Sequence, residues 1–140
     1  MKRTPLVLLL VLLLPLAGCQ SPGTTGHADI RYGTSTRFSQ AEIKSAVDAV
    51  LVKFRDLRGC DLKAIWYDES ASDVMADSYL TYGGGSTNNV SRDDVIVLLS
   101  DFYAGWSADS SLNPNTTYSW SWTVIRDAQG AWRAVTWGVG

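Results

Sequence analysis

The stretch Ser39-Gln40-Ala41-Glu42-Ile43-Lys44-Ser45-Ala46-Val47-Asp48-Ala49-Val50-Leu51-Val52-Lys53-Phe54 decides how the rest of this chain is read. It opens with the S-x-x-E spacing of a capping box, in which hydroxyl and carboxylate each satisfy a backbone N–H that the first helical turn leaves free. Phe38 just before the cap and Ile43 at the fourth helical position suit a hydrophobic staple. Ile43, Ala46, Val47, Val50, Leu51 and Phe54 then fall on one stripe at helical spacing, and Lys44, Asp48, Lys53 and Arg55 fall off it. Arg55 and Arg58 suit the negative end of the helix dipole, and Gly59 suits the residue after it. The pattern predicts a helix over 40–57.

A helix with one apolar face must cover something, and the downstream sequence supplies strands. Leu62 to Tyr67 reads as a strand, and 68–77 as a short helix bearing an acidic stripe of Glu69, Asp73 and Asp77. Residues 78–82 suggest another strand, and 83–89 a turn or mobile loop. Asp94 to Tyr103 is apolar on both faces, which suits a central strand. Residues 105–116 form a loop. Tyr118 to Arg126 and Ala131 to Val139 flank Asp127-Ala128-Gln129-Gly130 as a hairpin. In that hairpin Trp120, Trp122 and Val124 alternate with Ser119, Ser121 and Thr123. Val135 and Trp137 are expected on the aromatic face, and Trp132 near the end of the small polar one. The fold expected is therefore α+β: a long N-terminal helix packed on a curved antiparallel sheet of about four strands, a roll.

Upstream of the helix, residues 20–37 are rich in Gly, Ser and Thr and read as a flexible tether. Lys2 and Arg3 precede an unbroken apolar run, Leu6 to Leu14, too short for a bilayer core of ~30 Å and of signal-peptide length. Leu16-Ala17-Gly18-Cys19 follows, which resembles the lipobox of bacterial lipoproteins. That resemblance implies cleavage between Gly18 and Cys19, a diacylglycerol thioether on the Cys19 thiol with palmitate among the acyl chains, and attachment to the outer face of the cell membrane. The organisation expected is a signal peptide over 1–18, a lipidated tether over 19–37 and a folded domain over 38–140.

The 140 residues carry 12 basic and 14 acidic side chains, a net charge of −2. This balance argues against nucleic acid as a partner. Loss of Lys2 and Arg3 with the leader would leave the mature chain more acidic still, so acyl chains rather than basic residues would hold it to the membrane. The chain's single His, His27, excludes multi-histidine metal centres and serine–histidine catalysis within the domain, and two Cys cannot complete a four-cysteine zinc site. No metal or cofactor is expected.

The spaced motifs Gly59-Cys60-x-Leu62, Trp66-Tyr67-Asp68-Glu69, Val95-Ile96-Val97-Leu98 with Ser100-Asp101-Phe102, Asn115-Thr116-Thr117-Tyr118 ahead of Trp120-x-Trp122, and Gly130-x-Trp132 before Trp137-Gly138 span residues 36–140 together. The set resembles an uncharacterised family of small, mainly Gram-positive bacterial lipoproteins. That resemblance implies a roll like nuclear transport factor 2 or cystatin, and it carries no activity and no catalytic residue.

Candidate chemistry is sparse. Trp66, Tyr103 and Trp137 offer aromatic platforms for a ligand, and Asp101 interrupts an apolar strand where a carboxylate in a cavity would bind a ligand or act as a general base. Cys60 reads as a small buried hydrophobe rather than a reactive thiol. The acidic set of Asp68, Glu69, Asp73 and Asp77, with Asp93 and Asp94, lacks a calcium-loop pattern, and Gly83-Gly84-Gly85-Ser86 lacks the lysine of a phosphate-binding loop. The function expected is a non-enzymatic module binding a small molecule or an envelope protein. The alternatives are a small isomerase or hydrolase using a cavity carboxylate, and a cystatin-like inhibitor using the 83–89 loop.

Overall fold

Ser39 caps helix α1 (Gln40–Phe54) as the S-x-x-E spacing requires. The Ser39 hydroxyl accepts the Glu42 N–H at 3.2 Å, and the Glu42 carboxylate accepts the Ser39 N–H at 2.8 Å. Residues 20–139 are described by this computed structural model; Cys19 and the expected leader lie outside the described residues.

Helix α1 stops at Phe54 instead of running to 57, and the reason lies upstream. In a continuing helix the Gly59 N–H would donate to the Arg55 carbonyl. Here the Gly59 N–H donates to the Ser21 carbonyl at 2.9 Å, and the Arg55 carbonyl accepts from the Gly23 N–H at 3.0 Å. The segment expected as a flexible tether is thus bonded across the helix end. It continues into strand β1 (Asp29–Arg31), which runs parallel to β2 (Cys60–Trp66) with α1 as the crossover that parallel pairing needs.

This overturns the expected architecture. The described residues form a five-stranded mixed sheet in the order β1-β2-β3-β4-β5, with β3 (Val95–Ala104) at the centre and β4 (Thr116–Arg126) and β5 (Trp132–Gly138) following antiparallel. It is not an antiparallel sheet of about four strands under one long helix. Among the described residues the helical part is three short helices, α1, α2 (Glu69–Tyr82) and α3 (Gly84–Asn88), with one 3₁₀ turn at Arg92–Asp94. The α+β class holds in the broad sense, and the roll does not.

Helix α2 absorbs the strand expected over 78–82. Met75, Ala76, Tyr79 and Leu80 make a helical stripe, and they cover Val95, Val97 and Ile125 on the sheet face opposite α1. Two helices on opposite faces explain why β3 is apolar on both sides. The 83–89 segment, expected as a loop, winds as α3 and ends on Asn89 in the left-handed region at φ 52°.

The main core lies between α1 and the other face, where Ile43, Val47, Val50 and Phe54 meet Leu62, Ile96, Leu98, Phe102, Trp122 and Val124. The β4–β5 hairpin reaches that face by a route the alternation did not show. Its connection is five residues, 127–131, so Trp132 pairs with Arg126 and joins the aromatic side, packing edge-on against Phe38. A bulge then shifts the register between Thr123 and Val124, which leaves Val135 exposed and returns Trp137 to the place opposite Trp122. Arg126 closes the end of the molecule by donating to Glu42 and to Asp94, both at 2.8 Å.

Candidate functional site

The sheet face that carries α2 is only half covered. Helix α2 packs on the Val95–Val97 end of β3, and the alternating residues beyond, Leu99, Asp101 and Tyr103, project past it. On β4 the same face carries Thr117, Ser119 and Ser121. On β2 a bulge between Leu62 and Ala64 brings Ala64 opposite Asp101 and Trp66 opposite Leu99. Small side chains at Ala64, Ser119 and Ser121 leave a depression that Trp66, Met75, Leu99 and Val139 wall. Its volume is ≈ 550 Å³, the size of a small-molecule site.

The chemistry of this cleft is one carboxylate among apolar walls. Asp101 is half-buried and accepts the Ser119 hydroxyl at 2.6 Å. Among the described residues it forms no ion pair with a Lys, Arg or His. One neutral hydrogen bond leaves a carboxylate with several free acceptor sites. The Trp66 indole beside it carries the Arg31 guanidinium 4.9 Å from its ring centre, from the adjacent strand β1.

Of the four residues singled out in the sequence, Trp66 and Asp101 therefore meet in one cleft. Tyr103 lies on the same face two residues beyond Asp101, 36% exposed, with its hydroxyl donating to the Asn115 side chain at 3.1 Å. Trp137 lies on the opposite face, 37% exposed, stacked on Trp122 with ring centres 5.7 Å apart and the Lys53 ammonium 5.0 Å above its ring. Met75, Ser119 and Ser121 were missed as site residues. The alternation of β4 already set Ser119 and Ser121 on a small polar face, but nothing local said that α2 stops short of them.

The other candidates resolve into structural roles. Cys60 is buried at the start of β2, its thiol donating to the Arg58 carbonyl at 3.8 Å, and burial pushes its pKa up. Asp68 caps α2 by accepting the Ala71 N–H, and Glu69 accepts from Ser35 and Thr36. Those hydrogen bonds, first of all from the Ser35 hydroxyl, hold Glu69 below the usual carboxylate range. Asp73 and Asp77 flank Arg92, Asp93 pairs with Arg37, and Asp94 pairs with Arg126. Among the described residues no three His, Cys, Asp or Glu side chains gather as a metal site. His27 is exposed and does not line the cleft.

Compared with protein-family models, with curated proteins and with solved structures, the chain finds no match.

Proposed function

We propose that this chain is an exported lipoprotein, anchored through Cys19 to the outer face of the cell membrane, whose domain binds a small amphipathic ligand in the Trp66–Asp101 cleft. The resemblance to small bacterial lipoproteins is part of this reading. The observation that carries it is the half-buried Asp101 carboxylate, held by one hydroxyl between the apolar walls of Trp66 and Leu99. A ligand with an apolar body and a donor-bearing head, an ammonium or hydroxyl group, matches that pairing. Binding rather than catalysis is favoured because, among the described residues, the cleft lining sets no second titratable group beside Asp101, which a general acid–base pair needs.

Two measurements test this. Replacing Cys19 with Ala should abolish acyl labelling and move the protein out of the membrane fraction; undiminished labelling would sink the anchor. Calorimetric titration of the purified protein with alkylammonium and hexose probes should show binding to one of the two classes. Asp101→Asn and Trp66→Ala should each weaken it about tenfold or more, the scale of one charge-assisted contact. Affinity unchanged in both variants would remove the cleft from consideration.

A further inference from the structure

We infer that the end of the domain formed by Gln20, Arg58 and the 105–109 turn is a membrane-facing surface, with Trp106 seated in the headgroup region of the bilayer. The inference rests on the anchored reading above and goes beyond it, because it assigns the domain an orientation and a contact of its own.

Three observations meet at this end. First, the chain entering the described structure is bonded down from its first residue. The Gln20 side chain donates to the Ser107 carbonyl at 3.0 Å, and the Arg58 guanidinium donates to the Gln20 carbonyl at 3.4 Å. Gly23 lies so close to α1 that a Cβ there would sit 2.3 Å from the Phe54 carbonyl oxygen. Cys19 is one peptide from Gln20, so a lipid on its thiol leaves no slack between bilayer and domain. Second, Trp106 is 83% exposed, the most exposed tryptophan among the described residues, and it belongs to the turn that Gln20 grips. Third, that turn is pinned rather than loose. The Gly105 N–H donates to the Gly59 carbonyl at 3.0 Å and the Ala108 N–H to the Gly105 carbonyl at 3.1 Å. Gly59 sits at φ 73°, where an added Cβ would lie 2.8 Å from the Ala108 nitrogen.

A rigid turn that holds an indole out in solvent, next to the residue that enters the membrane, suits the bilayer boundary. There the apolar ring and the N–H are both satisfied. At this end Asp109 lies beside Arg58, its N–H donating to the Arg58 carbonyl at 3.4 Å, so the contact is by insertion of the ring rather than by attraction to anionic lipid. The partner is the lipid surface itself.

The test uses the full chain, purified from a bacterial host and reconstituted into phosphatidylcholine–phosphatidylglycerol vesicles carrying brominated acyl chains. Tryptophan emission should be quenched in the wild type, and Trp106→Phe should remove the quenching. Trp132→Phe, at the hairpin end far from Gln20, should leave it intact. Quenching of equal depth in wild type and Trp106→Phe, or its loss in Trp132→Phe instead, would overturn the proposal. Acyl labelling separates the two readings. If Cys19 takes no lipid, Trp106-dependent quenching would still uphold this surface while the lipoprotein reading falls.

Discussion

The indole N–H of Trp122 donates to the hydroxyl of Ser100 at 2.8 Å, across two adjacent central strands in the fully buried core. This pair lets the largest fully buried side chain sit in the middle of the domain without stranding a polar atom. Two residues away the opposite holds: the Trp120 N–H is buried with no partner among the described residues.

Ser100→Ala should therefore destabilise the fold by roughly 1–3 kcal/mol, the cost of leaving a buried donor unmade. Trp120→Phe should be close to neutral, because it removes a donor that is already unsatisfied and keeps a ring against Phe102. Urea unfolding of both variants checks the contrast. A Ser100→Ala protein as stable as wild type would show that the Trp122 N–H finds another partner.

Glu42 belongs to two structures at once, the α1 capping box and the Arg126 ion pair. The Ser39 N–H, and after it the Ser39 hydroxyl and Arg126, hold its carboxyl below the usual range. A depressed folded pKa means that Glu42 stabilises the protein above the pKa it has when unfolded, and loses that contribution as pH falls through the folded value. Glu42→Gln should cost about 1 kcal/mol near pH 7, the worth of a cap contact. The gap between variant and wild type should close in acid, below the ordinary carboxylate range. A gap independent of pH, followed by thermal unfolding from pH 7 to pH 3, would exclude a role for the charge.

Cys60 should be inert in the folded protein. Burial raises its pKa and leaves little thiolate, the form that reacts. Labelling of the Cys19→Ala variant with a maleimide isolates it. Reaction should follow denaturation and be slow before it. Rapid native labelling would mean that the start of β2 opens readily.

Gly23→Ala should unpin the segment that enters the domain, since its methyl would fall 2.3 Å from the Phe54 carbonyl oxygen. Limited proteolysis should then cut within residues 20–28 of the variant and spare them in the wild type. Equal protection would argue that the Ser21–Gly59 and Gly23–Arg55 bonds do not hold this segment in place.

Sequence alone determined what depends on neighbours a few residues apart. The capping box at Ser39 and Glu42 and the stripe from Ile43 to Phe54 define α1, because cap and apolar face are local chemistry. Asp94 to Tyr103 reads as a central strand because it is apolar on both sides. The alternation of β4 already divides Trp120 and Trp122 from Ser119 and Ser121. Tertiary structure decided what depends on residues far apart. The end of α1 is set by Ser21 and Gly23, which take over the hydrogen bonds of Gly59 and Arg55. Asp29–Arg31 is a strand only because the edge of β2 offers it carbonyls and N–H groups, and three residues carry no period of their own. Residues 78–82 are helical because Val95, Val97 and Ile125 need cover, which outweighs the strand preference of Tyr79 and Tyr82. The cleft follows from the same competition. Asp101 and Trp66 meet because the bulge in β2 and the part of the sheet that α2 leaves uncovered set which side chains share that surface, and no local pattern encodes them; Trp137 stands on the aromatic face expected of the hairpin, returned there by the bulge at Val135.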